Sequence, residues 1–328
     1  MAIRSKQSIA VLCSVALAAA LAAPEVSAQG SYPNRAVRMV VPSSVGSGVD
    51  LGARLITPPL SERLGQQVVV DNRAGAGTMI GIELAAKSPP DGYTLLMSPS
   101  TLAINPAMYK KVPYDARRDF APITQIGTIT NVLAVHPSLP AKSVKELIAL
   151  AKAKPGEIVF ASAGIGTNPH LAMELLLVMT GTRMLHVPYK GSGPGYIDLL
   201  AGRVEVMISS TIAILPHVRS GRLRALGVTT AKRVTSLHDV PTIAEAGVPG
   251  YEAVQWWGLL APAGTPKEII SRLHKDTVSV LLTPDIRERF ASEGTEVVAN
   301  SPEEFAAYMA IETAKWAKVV KNAGIQPE

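Results

Sequence analysis

The sequence predicts an α/β protein of two similar halves joined by a two-strand hinge. Three observations predict it. Apolar β-type runs alternate with helix-type runs through most of the chain. Two glycine- and serine-rich turns each link such a strand to such a helix. Two apolar runs, 131–136 and 255–260, each end in proline-rich turns and serve as the crossings between the halves.

In chain order, Val37 to Val41 reads as a strand, followed by a helix from about Asp50 to Leu64, a strand Val68 to Asp71, a helix Met79 to Lys87 and a strand Thr94 to Met97. This alternation predicts a parallel sheet covered by helices on both faces, with ligands at the carboxyl ends of the strands. After a helix from about Ser143 to Lys154, a second set follows: strand 159–161, the helix through Met173 to Met179, strand 185–187, helix 196–200, and strands 206–208 and 223–228. Helices at 267–282, 284–292 and 302–322 return to complete the first half, with Ile269, Ile270, Leu273 and Val280 at helical spacing.

The two glycine turns are the candidate binding elements. One runs Ser43, Ser44, Val45, Gly46, Ser47, Gly48 to Asp50, and the other Ser162, Ala163, Gly164, Ile165, Gly166, Thr167, Asn168, Pro169 to His170. Asn168 reads as an N-cap with proline at the first helical position. A loop that opens a helix offers unpaired N–H groups and the positive end of a dipole, so both turns suit an anion, and two of them suit one anionic ligand. Polar turns at 72–78 and 98–101 sit at neighbouring strand ends and add Thr78, Ser100 and Thr101; Tyr189, Ser209 and Ser210 occupy equivalent ends in the second half. Asp50 reads first as a favourable charge in the opening turn of its helix, and His170 divides evenly between packing and ligand contact.

The amino end has the form of an export signal: Arg4 and Lys6, an apolar run Ile9 to Ala23, and the small residues Val26-Ser27-Ala28 before Gln29. Cleavage near Ala28 removes Cys13, the single cysteine, and leaves 30 basic and 25 acidic residues, a net charge of +5. That excludes disulfides and cysteine chemistry in the mature chain, and the scattered charge is no nucleic-acid footprint.

Catalytic and cofactor motifs are missing. Phe160 stands where a nucleophile elbow needs its first glycine, Pro169 where a dinucleotide fingerprint needs its third, and the six histidines are dispersed. No enzyme activity, cofactor or metal is expected.

Tyr32-Pro33, Asn72-Arg73-Ala74-Gly75-Ala76-Gly77, Pro90-Asp91-Gly92-Tyr93, Ile104-Asn105-Pro106 and Leu139-Pro140-Ala141-Lys142-Ser143 resemble the Bug family, the periplasmic solute-binding receptors of tripartite tricarboxylate transporters. His186-Val187-Pro188-Tyr189-Lys190-Gly191, Asp239-Val240-Pro241-Thr242 and Gly258-Leu259-Leu260-Ala261-Pro262-Ala263-Gly264-Thr265-Pro266 continue the resemblance over the mature chain. It implies a two-lobed, type II periplasmic-binding-protein (Venus flytrap) fold: a signal peptide at 1–28, lobe 1 at 29–131 and 255–328, and lobe 2 at 132–254. It also implies that a ligand carboxylate is held through backbone amides, small hydroxyls and water from the two glycine loops, then passed to membrane permease subunits. The chain departs from the family where Ser43-Ser44-Val45-Gly46-Ser47 replaces a Phe-Pro-Pro-Gly-Gly stretch, and where Ser209-Ser210 replaces a frequent acidic residue.

The expected function is capture of a small carboxylate without an amine, a di- or tricarboxylate or an aromatic dicarboxylate such as terephthalate, by an exported monomer. Desolvating a ligand ammonium with no carboxylate at 209–210 to pair it is costly. The alternatives are a ligand-dependent sensor partner of a membrane kinase and, more remotely, an esterase-like hydrolase using Ser162.

Overall fold

Most strand-to-helix units begin with a short apolar run and end at a helix opened by a small polar residue. Val37–Val41 (β1) leads to Gly48–Leu64 (α1), Val68–Asn72 (β2) through a single 3-10 turn to Met79–Ala86 (α2), and Thr94–Pro99 (β3) to Thr101–Met108 (α3). Phe120–Ile129 (β4) and Asn131–Val135 (β5) flank Thr130, and Val144–Ala153 (α4) follows. Next come Val159–Ser162 (β6), Asn168–Thr180 (α5), Leu185–Pro188 (β7), Ser192–Leu200 (α6), Val206–Ser210 (β8), Thr211–Arg219 (α7) and Arg224–Val228 (β9). Gln255–Pro262 (β10), Lys267–Leu281 (α8), Pro284–Ser292 (α9), Thr295–Val297 (β11) and Pro302–Asn322 (α10) complete the chain. The computed structural model describes residues 32–189, 192–234, 237–292 and 294–327; the export segment and Lys190-Gly191 lie outside the described residues.

Two sheets result, ordered β11-β4-β10-β3-β1-β2 and β7-β6-β8-β5-β9 among the described residues. The chain leaves the first sheet at Thr130 and re-enters it at Gln255. The alternating strands pair in parallel as expected, β1 with β2 and β3 and β6 with β7 and β8, and each sheet also holds antiparallel strands. β10 runs antiparallel to both β3 and β4, and β5 antiparallel to both β8 and β9, because a strand that carries the chain across the boundary must run against the strands that end there. The sequence reading also passed over β4, α3, α7 and β11. β4 carries Pro122, Gly127 and buried Thr124 and Gln125, which broke the apolar pattern, and α3 has Pro106 inside it. Thr124 and Gln125 are satisfied by Asn300, through its carbonyl at 2.7 Å and its side-chain oxygen at 2.9 Å.

β5 shows why a continuous apolar run was needed in the second sheet. Leu133 and Val135 face one way, into a core with Phe160, Leu171, Val206 and Ile208, while Val132 and Ala134 face the other, among Met207, Leu199 and Ile214. Both faces are covered, so no polar alternation survives. The first sheet has its own core of Val40, Leu96, Trp256, Leu260, Phe305 and Met309. Gly258 makes room for it: a Cβ there would stand 2.0 Å from Cζ of Phe305.

α10 belongs to both cores. It starts at Ser301, a capping box with Glu304, and its first half places Phe305 and Met309 beneath the first sheet. Its second half places Trp316, Val319 and Val320 in the core of the second, where Ile104 and Met108 of α3 join them. Between the halves sits Glu312, 2% exposed, which accepts from the indole N–H groups of Trp256 at 3.3 Å and Trp316 at 2.9 Å and pairs with Lys315. A buried carboxylate is tolerable only when paired and hydrogen-bonded in this way.

Candidate functional site: two matching glycine loops

The loop between β1 and α1 is shaped by one buried carboxylate. Ser47 is the N-cap (φ −70°, ψ 157°), its Oγ accepting from the Asp50 N–H at 3.4 Å, and Gly46 before it has φ +80°. The Gly46 N–H donates to Asp50 Oδ2 at 2.8 Å, Arg54 Nε donates to Oδ1 at 3.0 Å, and Asn72 Nδ2 donates to Oδ1 at 2.9 Å. Burial pushes the Asp50 pKa up, but the hydrogen bonds from Arg54, Gly46 and Asn72 and the Arg54 charge outweigh it and hold the group below the ordinary value. The side chain is 1% exposed and accepts from these three donors, so Asp50 clamps its own loop. Gly52 lets α1 lie against the hinge strand, since a Cβ there would fall 2.6 Å from the Trp257 ring.

The loop between β6 and α5 repeats this construction. Thr167 is the N-cap (φ −69°, ψ 152°), and Gly166 has φ +74° and donates its N–H to His170 Nδ1 at 3.2 Å. The backbone bonds match as well: Ser47 N–H to Ser44 O at 3.2 Å and Thr167 N–H to Gly164 O at 3.3 Å, then Leu51 to Ser47 and Leu171 to Thr167 at 2.9 and 3.0 Å. Asp50 and His170 therefore do one job with different chemistry.

In the second loop the clamp is a neutral ring. His170 stacks on His186 at 4.2 Å, and His186 stacks on Phe160 at 4.7 Å, because β6 and β7 pair in parallel with Phe160 opposite His186. His186 Nε2 and Ser162 Oγ are 2.7 Å apart, and Ser162 Oγ accepts from the Gly164 N–H at 3.1 Å. Burial, then the neighbouring His186, pushes the His170 pKa down to about 3; burial pushes His186 down to about 4, and raises Glu174, whose Oε1 is 3.7 Å from His170 Nε2.

Asn168 was read as the N-cap; Thr167 takes that place, and Asn168 is the first helical residue. Its buried side chain accepts from Asn131 Nδ2 at 3.0 Å and donates to the Val254 carbonyl at 3.0 Å, which ties the loop to both crossings. With these groups engaged, helix geometry leaves the N–H groups of Gly48 and Val49 in α1, and of Asn168 and His170 in α5, without intrahelical acceptors. They are the donors an anion would find.

The neighbouring strand ends supply the walls. The turn before α2 holds Ala76, Gly77 and Thr78 at φ +46°, +59° and +80°. For a β-branched residue that is strained backbone, and such strain collects at binding sites. Thr78 Oγ1 and Thr101 Oγ1 lie 2.7 Å apart, and Asn105 Nδ2 donates to the Gly77 carbonyl at 2.9 Å. Ser100 is buried at the start of α3. Across the boundary, Ser209 is buried against the Tyr196 hydroxyl, and Tyr189 donates to Asp198 at 2.7 Å. Ser43 and Ser47 are hydrogen-bonded to each other at 2.9 Å, and Thr167 Oγ1 donates to the Gly164 carbonyl at 2.7 Å, while Ala163 is half-buried. Among the described residues the hydroxyls of Ser44 and Ser210 have no partner.

Four helices, α1, α3, α5 and α7, thus open at strand carboxyl ends along the boundary. Their dipoles favour an anion. Arg54, the cation of the first loop, is already held by Asp50 and by Asn72 Oδ1 at 3.0 Å. A separate hollow of about 230 Å³, lined by Thr130, Thr211, Arg233 and Thr295, lies towards the β11 edge; Glu245 neutralises its arginine at 2.8 Å, so it lacks the character of an anion site.

Residues 53–325 match the receptor of the tripartite tricarboxylate transporter family. The chain belongs to this family of TctC receptors. The receptor is 41% identical to Protein BugT of Bordetella pertussis over 308 residues, 93% of this chain and 94% of that one. Among solved structures it is similar to Rpa4515 of R. palustris with adipate (40% identity, TM-score 0.78, 90% of this chain and 100% of that one). It is also similar to MatC of Rhodopseudomonas palustris with bound malate (30% identity, TM-score 0.74, 88% and 100%). The fold is that of a two-lobed periplasmic solute-binding protein, and family membership makes the chain a solute-binding receptor.

The sequence reading found both loops and weighed Asp50 for orienting the first, but it did not see that His170 plays the same part in the second. The signal was present: glycine, a hydroxyl residue, two more residues, then Asp or His, which occurs at 46–50 and at 166–170. His186 was unreadable as a partner of His170, since only strand pairing brings position 186 beside Phe160.

Proposed function

We propose that this receptor captures a small dicarboxylate in the periplasm and delivers it to the membrane subunits of a tripartite transporter. The observation that carries this is the pair of matching loops, each ending in a helix N-terminus and each closed by a buried side chain that accepts the N–H of its glycine. Carboxylates dock on the N–H groups of Gly48 and Val49 on one side and of Asn168 and His170 on the other. Thr78, Thr101, Ser44 and Ser210 supply neutral contacts. The lobes, 29–131 with 255–328 and 132–254, close over the ligand as an exported monomer cleaved near Ala28.

The absence of an amine on the ligand follows from Asp50. Its carboxylate is buried and already accepts three donors, so a ligand ammonium would be desolvated without a counter-charge. The neighbours that bind adipate and malate support this reading. Calorimetry with adipate, malate, citrate, terephthalate, aspartate and glutamate tests it. A diacid without an amine is expected to bind most tightly, and tightest binding of aspartate or glutamate would refute it. Closure is read by small-angle scattering, where an unchanged radius at saturation counts against a moving hinge.

A further inference from the structure

The two loops agree at one more position, and it is not polar. Directly before the left-handed glycine stands Val45 in the first loop and Ile165 in the second, 71% and 54% exposed. From 43 to 48 and from 162 to 168 every other residue is Ser, Gly, Ala, Thr or Asn. A lone exposed aliphatic needs no explanation, but one at the same place in each of two matching anion loops does. Both are β-branched, so χ1 is already restricted and little side-chain freedom is lost when they are covered. The loops also belong to halves that already meet, since Met108 of α3 packs where a Cβ on Gly166 would lie 3.1 Å from its Cε.

We propose that Val45 and Ile165 form an apolar pair that grips the hydrocarbon spacer of a ligand carrying a carboxylate at each end, and so select diacids without spacer hydroxyls. This rests on the reading of the cleft as a dicarboxylate site. The helix N-termini take the two ends, and the residue just ahead of each glycine meets what lies between them. A spacer methylene gains by leaving water against Val45 and Ile165; a spacer hydroxyl there gives up its hydrogen bond to water and finds no partner.

Adipate and galactarate, equal in length and charge and different only in spacer hydroxyls, are the probes. Calorimetry is expected to show adipate binding at least about tenfold more tightly than galactarate to the unaltered receptor, as for roughly two methylenes covered. Val45→Ser and Ile165→Ser are each expected to weaken adipate about tenfold, with galactarate unchanged or tighter. Both side chains are exposed, so the thermal midpoint should stay at its original value and report an intact fold. A double variant that binds adipate as tightly as the unaltered receptor, or that loses both diacids equally, overturns the apolar pair. An unaltered receptor that binds malate, citrate or terephthalate but neither adipate nor galactarate overturns the apolar pair, and one that binds none of these carboxylates overturns the carboxylate reading itself.

Discussion

Asp50 and His170 hold equivalent places, each accepting the N–H of the glycine four residues before it, at 2.8 Å for Gly46 and 3.2 Å for Gly166. Replacing Asp50 by alanine strands that N–H, one Asn72 donor and the Arg54 guanidinium. Arg54 is half-exposed and regains water, so a loss of about 1–3 kcal/mol is expected. Urea denaturation reads the stability, and calorimetry with adipate is expected to show affinity falling at least about tenfold from loss of loop geometry. An Asp50→Ala protein that matches the unaltered receptor in both would show that the clamp is dispensable.

The second clamp makes the receptor acid-sensitive. The native state holds His170 and His186 neutral, down to about 3 and about 4, whereas the unfolded chain takes up these protons near 6.5. Between those values the unfolded state binds more protons, so stability is full above 6.5 and falls as pH drops towards 3. Glu174 works in the opposite sense, its raised pKa favouring the fold below 4.5 and losing that contribution as pH rises. Urea midpoints from pH 7.5 to 4.5 should decline in the unaltered receptor and decline less steeply in His170→Asn. Equal slopes would remove His170 as the cause.

Gly46 and Gly166 should respond unequally to alanine. Both have positive φ, which costs an L-residue about 1–2 kcal/mol. A Cβ on Gly46 meets open space, whereas one on Gly166 meets Met108 at 3.1 Å. Gly166→Ala is therefore expected to be the more destabilising by urea denaturation, and its cost should be smaller when introduced into Met108→Ala, a variant already weakened by the lost core side chain. An equal cost in both backgrounds would mean that the contact with Met108 is not the reason.

Gly258 tolerates no side chain while Phe305 is in place, since the new Cβ would stand 2.0 Å from Cζ of its ring. Gly258→Ala is expected to cost about 3 kcal/mol or more, at the upper end of overpacking. A double variant with Phe305→Leu should be more stable than Gly258→Ala alone, checked by thermal melting; a less stable double variant would contradict the steric account.

What could be read in advance follows from how local each signal is. Strands β1 to β3 and the two glycine loops announced themselves because apolar run, turn residues and helix start lie within a dozen positions. β4 did not, since its buried Thr124 and Gln125 are satisfied by Asn300, far away in sequence. Asn168 was assigned to its own helix because nothing near it shows that Asn131 and Val254 will come within 3.0 Å. The strained turn at Ala76 to Thr78 is likewise invisible, as its support comes from Thr101 and Asn105.

The placement of α10 sets the order in which the molecule can be completed. Its residues fill part of both cores, and Glu312 joins Trp256 to Trp316 between them. A chain ending at Ala310 keeps Phe305 and Met309 but lacks Glu312, Trp316, Val319 and Val320, so the second core is expected to lose the more stability. The second core therefore reaches its final packing only once the carboxyl-terminal helix has been made.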